Sequence, residues 1–376
     1  MRPTTLTPRL LFAALAAATC LALAPTPAEA QGRRGRRGEP AEEDEEAKGP
    51  SSKATLVLFG DREIEDVLLR DEKFAELRYK ARGRRLESIE GEKVKEIRWL
   101  EAPGTFSSGL SQLRASLFDR AITSFTAARN TAEESTWLWF HATYRLGEAQ
   151  LGAGNGADAA AEFKRLLEKD KDHWLAPAAM CGLGRALIAE GQHGPAGKAF
   201  EQLDEGYGSY WSAQGRLGMG DAALAAGNQS DAVRHYNFAR DRAGTRLPDV
   251  SRAASVGIGK AYIADKKFDR AIRMFDEIIR TPGVDPDVAG GAWVGKGDCQ
   301  LAAAQEKGND RNLLKEALIS YLTCAVRFAG TSAYPKALYR SAELYQRLGQ
   351  AEQAEAARKE LKQRCPSSPW TEKLGK

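Results

Sequence analysis

Histidine is the side chain that most often carries acid–base or metal chemistry near neutral pH, and this chain has four of them. His141, His173, His193 and His235 are scattered, with no spacing that would bring two of them to one metal ion. The sequence contains neither the G-x-S-x-G motif of a serine nucleophile nor the H-E-x-x-H motif of a zinc protease. We therefore expect no catalytic, cofactor-binding or metal site, and a chain that is not an enzyme.

One glycine-rich stretch resembles the start of a phosphate-binding loop. Gly290 to Lys296 supplies its glycines and lysine, but Gly297 stands where a Ser or Thr must hold Mg²⁺. The stretch also opens a predicted helix instead of following a strand. The shorter motif Gly182-Leu183-Gly184 and its equivalents belong to similar helices, so we interpret these glycines as contacts between packed helices.

The glycines belong to a repeat that runs through most of the chain. A small residue is followed twelve residues later by an alanine, as in Gly147 and Ala159, and often four residues further by an aromatic, here Phe163. Self-similarity at this period is typical of stacked helix pairs, each contacting only its neighbours. The other units begin at Gly109, Gly184, Gly220, Gly259, Gly297 and Ala342, and the unit at Gly297 carries an insertion over 306–311.

These units resemble tetratricopeptide repeats, and the resemblance covers about 270 residues. In that family the small residues let paired helices approach closely, and the aromatic fills the gap toward the next pair. The resemblance implies a mainly α fold: a right-handed α-solenoid of about seven units over residues 103–376, which binds partners and does not catalyse. Glycines fall in the turns within pairs, where positive φ is easiest for glycine, at Gly154, Gly191, Gly227 and Gly349.

Tetratricopeptide proteins bind mainly in the concave groove lined by the first helix of each pair, so the resemblance also implies a site. The Lys/Asn/Arg clamp of chaperone-binding members is absent. The fifth positions of the repeats are apolar or aromatic, which favours a peptide of apolar or mixed character: Tyr144, Cys181, Leu217, Val256, Val294 and Tyr339. Carried over position by position, the candidate partner-binding residues are His141, Tyr144, Glu148, Arg185, Asp221, Lys260, Asp298, Lys336, Tyr339 and Glu343.

Six of these candidates occupy one equivalent position in successive repeats. Their charges alternate from Glu148 through Arg185, Asp221 and Lys260 to Asp298, after which Glu343 follows. Since the first helices of neighbouring pairs lie about 10 Å apart, long side chains at this position could meet. We expect a ladder of intramolecular ion pairs, each adding at most about 1 kcal/mol where exposed. A groove for a charged peptide is the alternative interpretation.

Two clusters of aromatic residues stand out in the repeats. We expect them to form core between repeats, and an exposed binding patch is the alternative, since Trp and Tyr dominate interface energetics. The first cluster is Trp137, Trp139, Phe140 and Tyr144, and the second is Tyr207, Tyr210 and Trp211.

Residues 54–102 change from a helical to a strand period. Leu77, Tyr79 and Ala81 alternate with Arg78 and Lys80, and four or five such short runs predict a small antiparallel β module. It resembles an SH3-like or Sm-like barrel. Sm-like barrels bind RNA, but acidic residues balance the basic ones here. A docking module, or a cap over the first helices, is the plainer interpretation.

The first thirty residues have the pattern of a signal peptide. Basic residues precede an apolar stretch from Leu10 to Ala24, and Ala28-Glu29-Ala30 fits a cleavage site, so the mature chain would begin at Gln31. Lipidation at Cys20 is the alternative and would tether the protein to a membrane. Residues 31–53, basic and then acidic, predict a disordered charged linker. We expect an exported protein, periplasmic or extracellular.

Charge and cysteine content narrow the function classes further. With 55 basic and 51 acidic residues the net charge is only +4, so nucleic acid is not an expected partner. Four cysteines remain after cleavage, Cys181, Cys299, Cys324 and Cys365. We interpret them as small packing residues, with a Cys299–Cys324 bridge left open.

Together these features predict a non-enzymatic scaffold or adaptor of the bacterial cell envelope that binds a protein or peptide in its concave groove. One alternative is a lipid-tethered factor for outer-membrane assembly. Another is a β module that binds nucleic acid or polysaccharide, with the solenoid as a spacer. The sequence leaves the partner and the oligomeric state open.

Overall fold

The structure is a computed structural model that describes residues 52–81 and 85–375. The described residues belong to one compact unit, Ala47–Lys376. The predicted signal peptide (1–30), Cys20 and almost all of the predicted linker (31–53) lie outside the described residues.

Five antiparallel strands form the predicted small β module. Alternating residues of these strands, such as Leu56, Val67 and Leu77, are fully buried and form the core of the sheet. The strand order β4-β3-β2-β1-β5, with a 3₁₀ turn before β5, is that of an SH3-like barrel. The strands are β1 (Ser52–Leu58), β2 (Glu63–Glu72), β3 (Leu77–Ala81), β4 (Leu86–Ile89) and β5 (Val94–Trp99).

Fourteen helices then stack as seven antiparallel pairs, which confirms the predicted solenoid. Among the described helices none is both long enough and apolar enough to cross a membrane. The pairs are α1 (Gly104–Arg114) with α2 (Phe118–Asn130), α3 (Trp137–Gly152) with α4 (Gly156–Lys169), α5 (Ala176–Ala189) with α6 (His193–Gly206), α7 (Ser209–Ala225) with α8 (Gln229–Ala243), α9 (Pro248–Ala264) with α10 (Phe268–Arg280), α11 (Pro286–Glu306) with α12 (Arg311–Arg327), and α13 (Tyr334–Arg347) with α14 (Ala351–Arg364).

Four of the repeat aromatics each fit between two glycines on neighbouring first helices. Phe163, on α4, packs over Gly147 of its own pair and over Gly182 of the next pair. A Cβ at Gly147 would lie 2.8 Å from the ring, so a larger residue there would overlap it. Phe200, Tyr236 and Phe275 are held in the same way, which confirms that the G-x-G motifs are packing contacts between helices.

The turns within helix pairs contain glycines with positive φ. The turn glycines, among them Gly154 and Gly227, have φ values of 86° and 80°, as predicted.

All four described cysteines are buried free thiols, so Cys299 and Cys324 are not bridged. Their thiol groups lie near the carbonyl oxygens of Phe268 and Gly290 instead, at 3.4 and 3.6 Å. Burial raises the pKa of both thiols to about 12, which keeps them protonated and unreactive.

The chain does not stop at its last repeat. After α14 a four-residue helix, α15 (Pro369–Glu372), folds back onto α13. The side chain of Ser368 caps it by accepting a hydrogen bond from the Trp370 amide at 3.3 Å. Trp370 joins Tyr334, Leu338 and Leu361 in a cluster that covers the end of the solenoid. The repeat pattern, whose last unit ends with α14, did not predict this cover.

Candidate functional site

Aromatic side chains attach the sheet to the solenoid. Trp99 of β5 stacks on Trp137 of α3, with ring centroids 4.1 Å apart. Phe74 meets Tyr207 edge-on at 5.0 Å, and Phe59 meets Tyr210 at 4.9 Å. The residues of the two predicted aromatic clusters therefore have two different surroundings. Trp139 and Phe140 are buried between repeats, as expected, whereas Trp137, Tyr207 and Tyr210 contact the sheet.

Backbone hydrogen bonds fix the register of this attachment. The loop before α5 runs beside the end of β2, where the Trp174 amide donates to Glu72 O at 2.6 Å and the Phe74 amide donates to Asp172 O at 2.8 Å. The Trp174 indole also donates to Gly91 O at 3.2 Å. Since the donors and acceptors come from both parts, the sheet lies against the solenoid in one defined orientation.

His141, one of the predicted groove residues, lies beneath the sheet. Its Nε2 is 2.9 Å from a Glu72 carboxylate oxygen, and His173 Nε2 lies 3.7 Å from the same oxygen. Both histidines are almost fully buried, at 4% and 3% exposure. Burial lowers the pKa of His173 to about 4 against the opposing effect of Glu72. His141 therefore contacts strand β2 through Glu72 and also lines the cavity described next, and its predicted contact with a partner stays a prediction.

A cavity of about 510 Å³ separates strand β5 from the inner faces of α3, α5, α7 and α9, and we call it the chamber. The volume is within the range of ligand pockets, about 300–1,000 Å³. A second cavity of about 410 Å³ adjoins it and shares Tyr144, Arg185, Tyr210, Trp211 and Gln214 with it. Arg246 also lines the chamber.

The chamber lining combines cationic and aromatic groups with the carboxylates of Glu96, Asp249 and Asp285, and some of its polar groups have no partner among the described residues. Arg145 is paired with Glu148 at 2.6 Å. Arg185 and Arg246, both exposed, have no carboxylate within 4.0 Å in the described ranges. The Gln214 amide donates to Tyr210 Oη at 3.1 Å, while its buried carbonyl oxygen has no partner among the described residues. The chamber can thus offer donors to an anion and an acceptor to an N–H group.

Tyr144 also lines the chamber, and its hydroxyl group is a hydrogen-bond donor. Burial, and secondarily the charge of Glu148, raises the pKa of Tyr144 well above its ordinary value, so the hydroxyl stays protonated. It donates to a Glu148 oxygen at 3.1 Å. Three of the predicted groove residues, His141, Tyr144 and Arg185, therefore line the chamber, and Glu148 lines the adjoining cavity.

The predicted ladder of ion pairs is wrong. No ion pair among the described residues joins equivalent positions of successive repeats. Asp221 accepts a hydrogen bond from Tyr236 of its own pair at 2.7 Å, and Asp298 accepts one from Tyr321 at 2.8 Å. Each aspartate therefore bonds to the tyrosine of its own helix pair, and not to the charged residue at the equivalent position of a neighbouring repeat.

Two of the other charged candidates, Glu343 and Lys336, form ion pairs. Glu343 pairs with Arg340 on its own helix at 2.6 Å, and Lys336 pairs with Asp298 at 2.6 Å across one repeat boundary. Lys260 is exposed, has no ion pair in the described part of the chain, and does not line the chamber. These residues do not form one continuous groove surface.

The short helix α15 covers the last part of the predicted groove. The Trp370 ring lies 5.3 Å from the ring of Tyr339, and Lys336 Nζ lies 5.7 Å above it. Tyr339 and Lys336 therefore contact the chain's own C-terminal segment. From the sequence, Trp370 between Pro369 and a charged end was the available signal, since an isolated tryptophan beyond a final helix usually needs a surface to pack on.

Comparison with known proteins agrees with the repeat architecture. Family models described as tetratricopeptide repeat match residues 144–210 and 217–286, and a second such model matches residues 336–368. No curated protein matches the chain.

Solved structures with similar folds include a Rap protein complexed with competence and sporulation factor, at 15% identity and a TM-score of 0.48, covering 72% of this chain and 74% of that chain. Apo RapI is 12% identical with a TM-score of 0.48, covering 71% of this chain and 98% of its own. A tetratricopeptide repeat protein from Parabacteroides merdae ATCC 43184 is 12% identical with a TM-score of 0.41, covering 69% and 91%. With its seven helix pairs and the repeats matched by both models, this chain is a tetratricopeptide repeat protein, a fold that typically serves as a non-enzymatic scaffold for protein interactions.

Proposed function

We propose that this protein is an exported adaptor of the bacterial cell envelope that holds a peptide segment of a partner in the chamber. The signal-peptide pattern that ends at Ala30 supports export, and the repeat fold supports a binding role. The proposed site consists of Tyr144, Arg185 and Gln214 with the aromatic residues beside them.

One observation carries the peptide proposal. The wall of the chamber presents an unpaired guanidinium at Arg185, an unpartnered carbonyl at Gln214 and aromatic rings at Tyr210 and Trp211. A peptide segment supplies the complement of all three, namely a carboxylate, backbone N–H groups and apolar side chains. A cavity of this kind, apolar with a few polar groups that converge, is where ligands bind in most proteins.

Only part of the groove predicted from the repeat positions is accessible to a partner. Since α15 covers Tyr339 and Lys336, the accessible part of the concave face lies between α3 and α9, where His141, Tyr144 and Arg185 line the chamber. A partner would therefore contact both the solenoid and strand β5. This arrangement favours a functional role for the sheet in the site over a role for the solenoid as a spacer.

The test is capture from envelope extract with the mature chain from Gln31, its Arg185→Gln variant and its Lys164→Gln variant as baits. Lys164 is the matched control because it is an exposed, unpaired cation on α4 that does not line the chamber. We expect one saturable partner that the wild type and Lys164→Gln retain and Arg185→Gln loses, read by quantitative mass spectrometry. Equal capture by all three baits would contradict the chamber as the binding site.

Export is tested separately, by the N-terminal residue of the protein recovered from the envelope. We expect mature protein that begins at Gln31. Recovery of a chain that begins at a lipidated Cys20 would instead support a tethered protein, and an intact Met1 in the cytosol would contradict export.

A further inference from the structure

Strand β5 is an edge of the sheet. Among the described strands it pairs only with β1, since the order is β4-β3-β2-β1-β5. An edge strand presents a row of unpaired backbone N–H and C=O groups, on which an extended chain can form another strand. Here the chamber borders this strand from Val94 to Ile97.

The pairing register shows which groups of β5 point away from the sheet. The Leu100 amide donates to Lys53 O at 2.9 Å, so these two residues form a hydrogen-bonded pair. In an antiparallel ladder hydrogen-bonded and non-bonded pairs alternate. Counting from Leu100 along the register, Arg98 and Glu96 bond to β1, whereas Ile97, opposite Leu56, turns its N–H and C=O outward.

A bulge adds a second free residue to the same edge. The register between β1 and β5 passes from Val57 opposite Glu96 to Leu58 opposite Val94, which leaves Lys95 as the extra residue. The extra residue of a bulge is unpaired in the ladder. Among the described residues, no helix side chain hydrogen-bonds to the backbone of Lys95 or Ile97. The edge that borders the chamber thus has free donors and acceptors at two nearby residues.

The opposite wall determines the chemistry of the occupant. Arg185 and Arg246 face the chamber without a carboxylate partner in the described part of the chain, and Gln214 lacks a donor. A strand added at β5 would direct alternate side chains toward this wall, because side chains of a strand alternate between two directions. A carboxylate at one of these positions would meet a guanidinium, which binds carboxylates well.

We propose that the partner binds as an extended, acidic segment that adds a sixth strand to the free edge of β5 and places a carboxylate against Arg185. The proposal rests on the function proposed above and specifies the partner. It differs from a helical or irregular peptide that would contact only the repeats. Main-chain hydrogen bonds to β5 give the affinity, and the arginine wall selects the acidic side chain.

The test uses a peptide selected from a random display library on the intact mature chain, followed by amide exchange resolved to single residues. With the peptide bound, we expect the Ile97 amide to exchange more slowly. The Glu96 and Arg98 amides, already bonded to β1, should not change, nor should the amides of β4 at the other edge of the sheet. The alternation within three consecutive residues is specific to strand addition.

A second arm measures the peptide and the arginine. Methylating the peptide nitrogens one at a time should reduce affinity at alternate residues, by roughly tenfold for each lost hydrogen bond. Arg185→Gln should reduce affinity roughly ten- to a hundredfold, and Lys164→Gln should leave it unchanged. Replacing the peptide's acidic residue by its amide should have no further effect in Arg185→Gln.

The outcomes separate the two proposals. A peptide that depends on Arg185 but leaves Ile97 exchange unchanged would overturn strand addition and leave the chamber as the binding site. A selected peptide without an acidic residue, insensitive to Arg185→Gln, would overturn the acidic partner. Failure to select any peptide that competes at the chamber would overturn both.

Discussion

Glycine determines how closely the repeats stack. Gly218 and Gly220 lie two residues apart on α7, and the first meets Phe200 of the preceding pair while the second meets Tyr236 of its own. The helices can approach closely only because no side chain stands between backbone and ring. Each G-x-G motif therefore joins two repeats, and its two glycines face different neighbours.

We predict that Gly218→Ala destabilises the protein. The new Cβ would overlap the Phe200 ring, and overpacking a close core usually costs about 1–3 kcal/mol. Gly197→Ala on α6 is the matched control, because a Cβ there meets nothing within 4 Å and alanine favours a helix by up to about 1 kcal/mol. Urea unfolding should lower the midpoint for the first variant and not for the second. Equal midpoints would contradict the packing role of the motif.

The buried His173 predicts a dependence of stability on pH. Its folded pKa is about 4, while an unfolded histidine titrates near 6.5, so the unfolded chain binds the proton first as pH falls. Neutral His173 therefore makes its full contribution to the free energy of unfolding above pH 6.5. That free energy falls between pH 6.5 and 4, by up to about 1.4 kcal/mol per pH unit.

The measurement is the urea midpoint of the wild type and His173→Asn across this range. Asparagine can accept the bond that the Leu175 amide donates to the ring at 3.1 Å, but it does not titrate. We expect the variant to lose part of the pH slope. Parallel curves for the two proteins would show that His173 is not the responsible group.

At the scale of elements, the sheet packs on the solenoid and forms one side of the chamber. Strand β2 covers His141, Trp99 stacks on α3, and strand β5 forms one side of the chamber. The sheet thus closes part of the concave groove, and strand β5 borders the chamber that remains. A tetratricopeptide groove alone offers a ligand only side chains. The proposed site would also offer the backbone N–H and C=O groups of strand β5.

We predict that a chain starting at Pro103 folds its repeats but exposes the surface that the sheet covers. Trp137, Tyr207 and Tyr210 would lose their aromatic contacts, so we expect a lower Tm and stronger binding of a hydrophobic dye. Circular dichroism should still report a helical protein. An unchanged Tm without added dye binding would mean that the sheet is not attached in solution.

At the scale of the whole molecule, the two ends of the solenoid meet. A Cβ at Gly154, in the turn after α3, would lie 2.8 Å from Pro369 Cγ. The Ser367 hydroxyl also donates to Asp119 on α2. The curvature accumulated over seven pairs therefore brings the last segment back to the first two pairs, and the concave face becomes an interior.

We predict that Trp370→Ala loosens this closure. The ring anchors α15 to Tyr339 and to the cluster around Leu361, so its loss should free the contacts at Gly154 and Asp119. Small-angle scattering should give a larger radius of gyration, and amides of the turn after α3 should exchange faster. Lys362→Ala, an exposed change on α14, should alter neither. A radius unchanged in Trp370→Ala would contradict the closure.

Much of the fold could be predicted because repeats depend on local contacts. Gly147, Ala159 and Phe163 lie within one helix pair or its neighbour, so a spacing in the sequence corresponds directly to a contact in space. Strand alternation likewise predicted the strands of the β module, including Leu77–Ala81. Of the candidate site residues, His141, Tyr144 and Arg185 line the chamber, and their contact with a partner stays a prediction.

Contacts between distant segments could not be predicted in this way. The sequence alone determined the helix pairs, their number and the small β module, because each depends on residues close along the chain. Only the tertiary structure decided that β2 covers His141, that Trp370 covers Tyr339, and that Asp298 bonds to Tyr321 in place of a ladder. These contacts depend on the curvature of the whole stack, to which every repeat contributes a small rotation, and no single motif specifies it.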